Sequence, residues 1–271
     1  MNGPKVSIIT ACYNNARTIE KTIFSVLNQT YVNIEYIIVD ANSNDGTYEI
    51  IQRYKDRIAQ WIREPDTGIA DAWNKGIEAA TGSIIGLINA DDCYTQEAVE
   101  LAVHAILSHT DHGFVFSDLK IVDQNGHYQY TLIGNSDYDN IISFDMPSIP
   151  HPTVFVKREV YTECGLFNTD YRSAMDYEFL LRIYKLGIKG YYCRHVWAIM
   201  MLGGESDSNY RHSHREVAKI SIQYGYDQKK AICRYYRKLG TSLVRRVIEK
   251  VGLVIISRFV RKIFRKQYEY K

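Results

Sequence analysis

Paired cysteines, long apolar runs and phosphate-loop glycines are all missing from this chain of 271 residues. Its five cysteines (Cys12, Cys93, Cys164, Cys193, Cys233) are odd in number, widely spaced and without a CxxC. That pattern supports neither a zinc ribbon nor a disulfide framework and fits reduced thiols in a cytosolic protein. His212 and His214 have no acidic or cysteine partner at metal spacing, so a zinc site is not expected there. Residues 251–257 form the longest apolar stretch of the C-terminal part, seven residues, against the roughly 20 a membrane-spanning helix needs. Residues 6–13 follow Lys5 and imitate a secretory leader. Asn14 and Asn15 close that run without a small-residue cleavage site, so it reads as a first buried strand. No GxGxxG, P-loop or GxSxG occurs to point to a dinucleotide enzyme, a nucleotide triphosphatase or a serine hydrolase. Proline is scarce, and three of the five lie in residues 145–152, which must be loop.

The composition that remains, 46% hydrophobic and 24% charged, is that of a globular protein. One principal core with an appendage is expected from the length. The net charge of +2 conceals a division. From Lys229 onward 14 Lys+Arg face only Glu249 and Glu269, whereas residues 1–228 carry 19 bases and 29 acids. The chain therefore reads as an acidic body, residues 1–228, followed by a basic tail, residues 229–271.

Apolar periodicity organises the first hundred residues. Residues 6–12 and 34–39 are β-branched, nearly continuous runs, as in strands buried on both faces. Between them Ile19, Ile23, Val26 and Leu27 recur at helical spacing, with Asn15 available as an N-cap. A helix follows the turn at residues 43–46, another spans residues 69–80, and residues 84–88 form a further strand. Such strand–helix alternation implies an α/β fold with a mostly parallel sheet and helices on both faces. Ligands bind beyond the carboxyl ends of such strands. The second half predicts a hairpin of residues 114–122 and 128–133 and a helix over residues 174–186 that opens near Asp176.

Each strand end delivers a polar cluster: Thr10, Tyr13 and Asn14; then Asp40, Asn42 and Ser43; then Asn89, Asp91 and Asp92. Adjacent acids directly after an apolar strand are costly without a cation, donors or water. Hard oxygen ligands of this kind suit Mg²⁺ or Mn²⁺; alternatively Asp91 and Asp92 cap the helix beginning near Thr95. His151, between Pro150 and Pro152, is a loop histidine that reads as a ligand contact or as structural. In the tail, Val244, Val247, Ile248, Val251 and Ile255 form a helical stripe beside Arg245, Arg246 and Lys250. That pattern serves either an anionic membrane surface or packing on the acidic body. A nucleic-acid partner accounts for the tail and leaves the carboxylate-lined body unexplained.

Taken in order, residues 6–14 (VSIITACYN), 25–31 (SVLNQTY), 39–47 (VDANSNDGT) and 89–92 (NADD) resemble the inverting family 2 glycosyltransferases of GT-A fold. Residues 64–76 (EPDTGIADAWNKG), 151–156, 173–182 (SAMDYEFLLR) and 203–206 (GGES) resemble a bacterial subgroup that builds surface polysaccharides such as O-antigen. The resemblance spans about residues 5–207. It implies that Thr10, Tyr13 and Asp40 line a nucleotide pocket and that Asp71, Asn74 and Lys75 lie beside base, ribose and phosphates. The family's DxD-like element falls at residues 90–92, with Asp92 as ligand of Mn²⁺ or Mg²⁺ and Asp91 on ribose or donor sugar. Asp176 is then the base that deprotonates the acceptor hydroxyl, while Glu178, about 200° round the helix, points elsewhere. Met175 stands where many relatives have an acid. Asp176 as a plain N-cap is the structural alternative. The resemblance further implies a UDP-sugar donor, a polyprenyl-diphosphate-linked glycan acceptor and residence at the cytoplasmic face of the cell membrane. A sugar nucleotidyltransferase lacks its Gly/Lys-rich loop in residues 10–17, and a non-catalytic membrane-surface module that binds nucleotide sugars is the remaining rival.

Overall fold

A computed structural model describes residues 3–146, 149–202 and 209–250, with side chains through residue 244. The first half alternates as its periodicity requires: β1 (Val6–Cys12), α1 (Ile19–Leu27), β2 (Ile34–Asp40), α2 (Thr47–Arg53), β3 (Gln60–Arg63), α3 (Ile69–Ala79) and β4 (Ile84–Leu87). β5 (Cys93–Tyr94), α4 (Ala98–Ser108), β6 (Phe114–Val122), β7 (Tyr128–Leu132) and α5 (Asp139–Ile142) follow. Then come β8 (Phe155–Lys157), α6 (Arg158–Cys164), α7 (Met175–Lys185), β9 (Gly190–Met201), α8 (Tyr210–Gln223) and α9 (Gln228–Lys250).

Among the described residues nine strands form one sheet in the order β3-β2-β1-β4-β8-β6-β9-β5, with β7 on β6. β3, β2, β1 and β4 are mutually parallel, as the helical crossovers between them demand. Beyond β4 the sheet is mixed, because the β6–β7 pair is the expected hairpin and β8 runs antiparallel to both β4 and β6. β6 and β9 return to parallel pairing. Both faces are covered, which is why all seven residues of β1 are buried. Ile9 and Ala11 join the core under α3, α7 and α8, whereas Ile8 and Cys12 join the core under α1 and α4. The α3 layer sits unusually close: a Cβ on Gly76 would lie 2.3 Å from Ile9 Cγ2. Only glycine permits that approach.

Some local expectations are revised. Asn15 does not cap α1 with its side chain; its Oδ1 accepts from the Tyr13 N–H at 2.9 Å, and the helix begins at Ile19. The start of the tail is no free appendage. α9 buries Ala231 and packs along α8, where Ser242 meets His214 at 3.1 Å. Arg234 donates to buried Asp145 at 2.6 and 2.9 Å, and Lys238 lies 2.9 Å from the same carboxylate. Of the apolar tail stripe, Val244 is exposed; the side chains of Val247, Ile248, Val251 and Ile255 lie outside the described residues. Among the described residues no helix is long and apolar enough to cross a membrane.

Candidate active site

The carboxyl ends of β1, β2, β3 and β4 lie along one edge, and chain order reverses around β1, so the crevice of a parallel α/β sheet opens there. Two loops on this edge are laced together. The Asn14 N–H donates to Ser43 Oγ at 2.9 Å, the Asn44 N–H to Asn14 Oδ1 at 3.0 Å, and the Ala16 N–H to Asp45 Oδ2 at 3.0 Å. Asn14 and Asn42 hold positive φ, which asparagine tolerates better than most residues. The result is a rigid rim that leaves Tyr13 62% exposed, its ring free to meet a ligand.

Asp40, at the end of β2, is fully buried and held from two sides. The Ser43 N–H donates to its Oδ1 at 3.0 Å, and Arg63 Nε from β3 donates to Oδ2 at 3.2 Å. Arg63 in turn lies 4.5 Å over the Tyr48 ring. Next to this pair, Lys75 of α3 reaches Glu64 at 3.0 Å, Asp71 at 3.6 Å and the Pro65 carbonyl at 2.7 Å. Partial burial favours the neutral amine, yet Glu64 and Asp71 hold the Lys75 pKa above its usual value. Asp66 belongs to the same cluster and was not singled out by sequence. Burial pushes its carboxyl up, and the charges of Asp71 and Asp40 add to that. Gly68 begins α3 at φ +138°, a region other residues rarely enter. A cavity of about 210 Å³ is lined by Thr67, Gly68, Asp71, Tyr171 and Arg172, so the start of α3 and the loop before α7 share one recess.

Two expected pocket residues are placed differently. Thr10 is fully buried on the α1–α4 face, where its hydroxyl meets Tyr36 OH at 3.1 Å; Ala11 takes the α3 face. Register explains this, since successive strand residues point to opposite faces. Asn74 spends its amide on Phe167, donating to the carbonyl at 2.8 Å and accepting from the N–H at 2.9 Å. It braces α3 to the 167 loop. Phe167 and His151 both pack on Trp73, with His151 stacked at 4.5 Å between ring centroids. Burial lowers the His151 pKa to about 4 and keeps the ring neutral at physiological pH.

The acids after β4 do not cap α4, and Asp92 is buried. It is 1% exposed, and the pairing of β5 with β9 buries it. The Met201 backbone and Asn89 side chain bond one side of the carboxylate, while Oδ1 has no partner; Asn89 Oδ1 is likewise buried and unpartnered. Burial, then the charge of Asp91, raises the Asp92 pKa well above the ordinary value; burial raises Asp91 too. Two buried acceptor oxygens without donors, beside a second carboxylate, fit a hard divalent cation. No group of three or more His, Cys, Asp or Glu side chains converges among the described residues. These residues can therefore supply one or two carboxylates, leaving the remaining positions to phosphate oxygens and water.

Asp176 lies in the first turn of α7, half-buried, its Oδ1 accepting from the Tyr177 N–H at 2.8 Å. Burial, with a further contribution from Glu216, pushes its carboxyl up to about 6. That value leaves it ionised at neutral pH yet able to take a proton, the balance a general base needs. Glu178 does point elsewhere: it pairs with Arg182 at 3.0 Å and accepts from Tyr224 OH at 2.5 Å. His212 has an acidic partner after all, Glu216 one turn on, at 2.9 Å. Residues 203–206 lie outside the described residues.

The strand-end crevice gathers buried carboxylates and Lys75, and α7 opens on the raised Asp176. The class is a glycosyltransferase: residues 7–165 match the model of Glycosyl transferase family 2, and the chain belongs to that family. An uncharacterized glycosyltransferase of Haemophilus influenzae is 27% identical over 275 residues, covering 94% of this chain and 81% of that one. TuaG of Bacillus subtilis, named for teichuronic acid biosynthesis, is 35% identical over 126 residues, 45% of this chain and 50% of its own length. S. aureus TarS 1–349 in complex with UDP-GlcNAc superposes with a TM-score of 0.63 at 16% identity, covering 98% of this chain and 93% of that one. The mannosyltransferase PcManGT from Pyrobaculum calidifontis, in complex with GDP-Man and Mn²⁺, gives 0.65 at 18%, with coverage of 97% and 88%. At such identities the structures share the GT-A-like fold.

Proposed function

We propose that this glycosyltransferase moves a sugar from a UDP-sugar, with inversion, to a hydroxyl of a lipid-linked glycan during assembly of a bacterial surface polysaccharide. The observation that carries the reading is Asp176, a half-buried carboxyl raised to about 6 in the first turn of α7, directly after the segment whose Tyr171 and Arg172 line the recess shared with α3. In this reading Asp176 takes the acceptor proton as the oxygen attacks the donor sugar. Tyr13, Asp71 and Lys75 receive the nucleotide, and Asp40, buried on the Ser43 N–H and Arg63, forms the base of that pocket. Asp91 meets ribose or donor sugar, and Asp92 ligates Mn²⁺ or Mg²⁺. A bound divalent ion supplies charge neutralisation for the departing diphosphate. In this reading Thr10, buried against Tyr36, and Asn74, bonded to Phe167, brace the pocket.

TarS with UDP-GlcNAc supports the uridine donor by fold, and PcManGT with GDP-Man and Mn²⁺ supports metal use. The naming of TuaG supports a surface-polysaccharide product. In this reading the basic tail, residues 229–271, meets the cytoplasmic leaflet, with no nucleic-acid partner, while Ala231, Arg234 and Lys238 hold the start of α9 on the body. Exposed Ile232, Tyr236, Leu243 and Val244 on α9 are consistent with that face. The test is a panel of UDP-sugars and GDP-Man, assayed for hydrolysis and transfer with Mn²⁺ and again in EDTA. Metal-dependent turnover of a UDP-sugar is expected. Donor binding without turnover across the panel would leave a binding module instead.

A further inference from the structure

Three consecutive backbone N–H groups converge on a carboxylate from a different element. Arg172, Ser173 and Ala174 donate to Glu216 of α8 at 3.0, 2.8 and 2.9 Å. His212, one turn earlier, meets Glu216 Oε1 at 2.9 Å through Nε2. Glu216 is 7% exposed, so four contacts occupy the roughly four lone-pair sites of a carboxylate held away from water. Successive N–H groups arranged this way form an anion-binding nest. Ala174, the N-cap of α7, has no side chain that can cap, so Glu216 serves the N–H groups that lead into the helix while Asp176 Oδ1 takes that of Tyr177. Two residues beyond the nest stands Asp176.

We propose that Glu216 is a positioning residue for sugar transfer: by gathering residues 172–174 it fixes the direction in which Asp176 leaves the first turn of α7. The inference rests on Asp176 as the base. A second effect follows from charge. Burial raises the Asp176 carboxyl first, and Glu216 adds to it. Among the neighbouring charged groups, Glu178 is taken up by Arg182 and Tyr224, His212 by Glu216, and Arg172 is exposed. Among the described residues Glu216 is thus the charge that raises the Asp176 carboxyl further.

Glu216→Gln in the full chain removes the charge and two of the acceptor sites while keeping size. Misplacing a reacting group by about 1 Å can cost ~10²-fold, so kcat is expected to fall roughly 10- to 100-fold with donor KM little changed. The acid limb of the pH–rate profile should move to lower pH, because the lost negative charge lowers the proton affinity of Asp176. A purely structural role would lower the melting temperature and leave that limb in place. Glu216→Asp, which keeps the charge, should hold the limb at its original pH. Asp176→Asn is measured alongside. Full activity there overturns the base and this inference with it. An inactive Asp176→Asn beside a Glu216→Gln with unaltered kcat and limb overturns the positioning role alone. Should Glu216→Gln fail to fold, amide hydrogen exchange on the unsubstituted protein decides. Slow exchange at residues 172–174 is expected although Arg172 lies at the surface, and fast exchange at all three refutes the nest.

Discussion

Asp92→Asn is expected to make the metal-free protein more stable while removing most of its activity. Asp92 is buried with one oxygen unpartnered, and its pKa is raised well above the ordinary carboxylate value by burial and then by Asp91. The folded state therefore binds more protons than the unfolded state near and above pH 4. By linkage, stability falls as pH rises from the unfolded pKa through the folded one, and above it the folded chain bears the whole cost of the buried charge. Asparagine carries no such charge. An unsatisfied buried neutral group, which the asparagine amide remains, costs about 1–3 kcal/mol and a charged one more; with that excess taken as about 1–3 kcal/mol, each kcal/mol moves Tm by roughly 2–4 °C in chains near this size. A gain of about 2–12 °C follows for Asp92→Asn at pH 8 in EDTA, read by calorimetry. Adding Mn²⁺ with donor should reverse the order. A ligand at 100 times its Kd stabilises the folded state by about 2.7 kcal/mol, and the variant should lose most of that. Turnover should fall on the order of 10²-fold or more. A variant no more stable than the parent in EDTA at pH 8, with an equal response to Mn²⁺, would refute both the burial argument and the assignment of Asp92.

Asp176→Asn should lower kcat by roughly 10²–10⁴-fold with donor binding little changed; the parent's rate should decline below about pH 6, where Asp176 takes up its proton. Parallel loss of donor affinity with kcat held would make Asp176 a donor contact. Gly76→Ala should destabilise the fold despite alanine's helix-propensity advantage of about 1 kcal/mol, because a Cβ 2.3 Å from Ile9 overpacks the core by about 1–3 kcal/mol. Combined with Ile9→Ala, which removes the clashing Cγ2 atom, Gly76→Ala should cost less than it does in the parent chain, seen as non-additive melting temperatures. Removing residues from Thr241 onward should abolish salt-sensitive binding to anionic vesicles and slow transfer to a long-chain lipid acceptor. Transfer to a short soluble acceptor should hold, and equal loss on both would mark the segment as structural.

Local pattern carried the alternating elements and most of the strand-end acids. A strand covered on both faces must be apolar throughout, so β1 and β2 were visible as runs, and the polar residue that ends each run had to lie at the crevice: Asp40, Asp91, Asp92. The hairpin of β6 and β7 and the placement of Asp176 and Glu178 on opposite sides of α7 follow equally from turn chemistry and helical period. Other features depend on partners distant in sequence. A shift of one residue along β1 exchanges the faces of Thr10 and Ala11, and only the packed Tyr36 shows which is which. The orientation of β8 against β4, the burial of Asp92 beneath β9, the hold of Asn74 on Phe167 and the grip of Glu216 on residues 172–174 all join segments far apart in the chain. The last two are side-chain-to-backbone bonds. A backbone N–H is present at every non-proline residue, so no residue type marks it as the partner, and it takes the fold to bring the two ends within 3 Å.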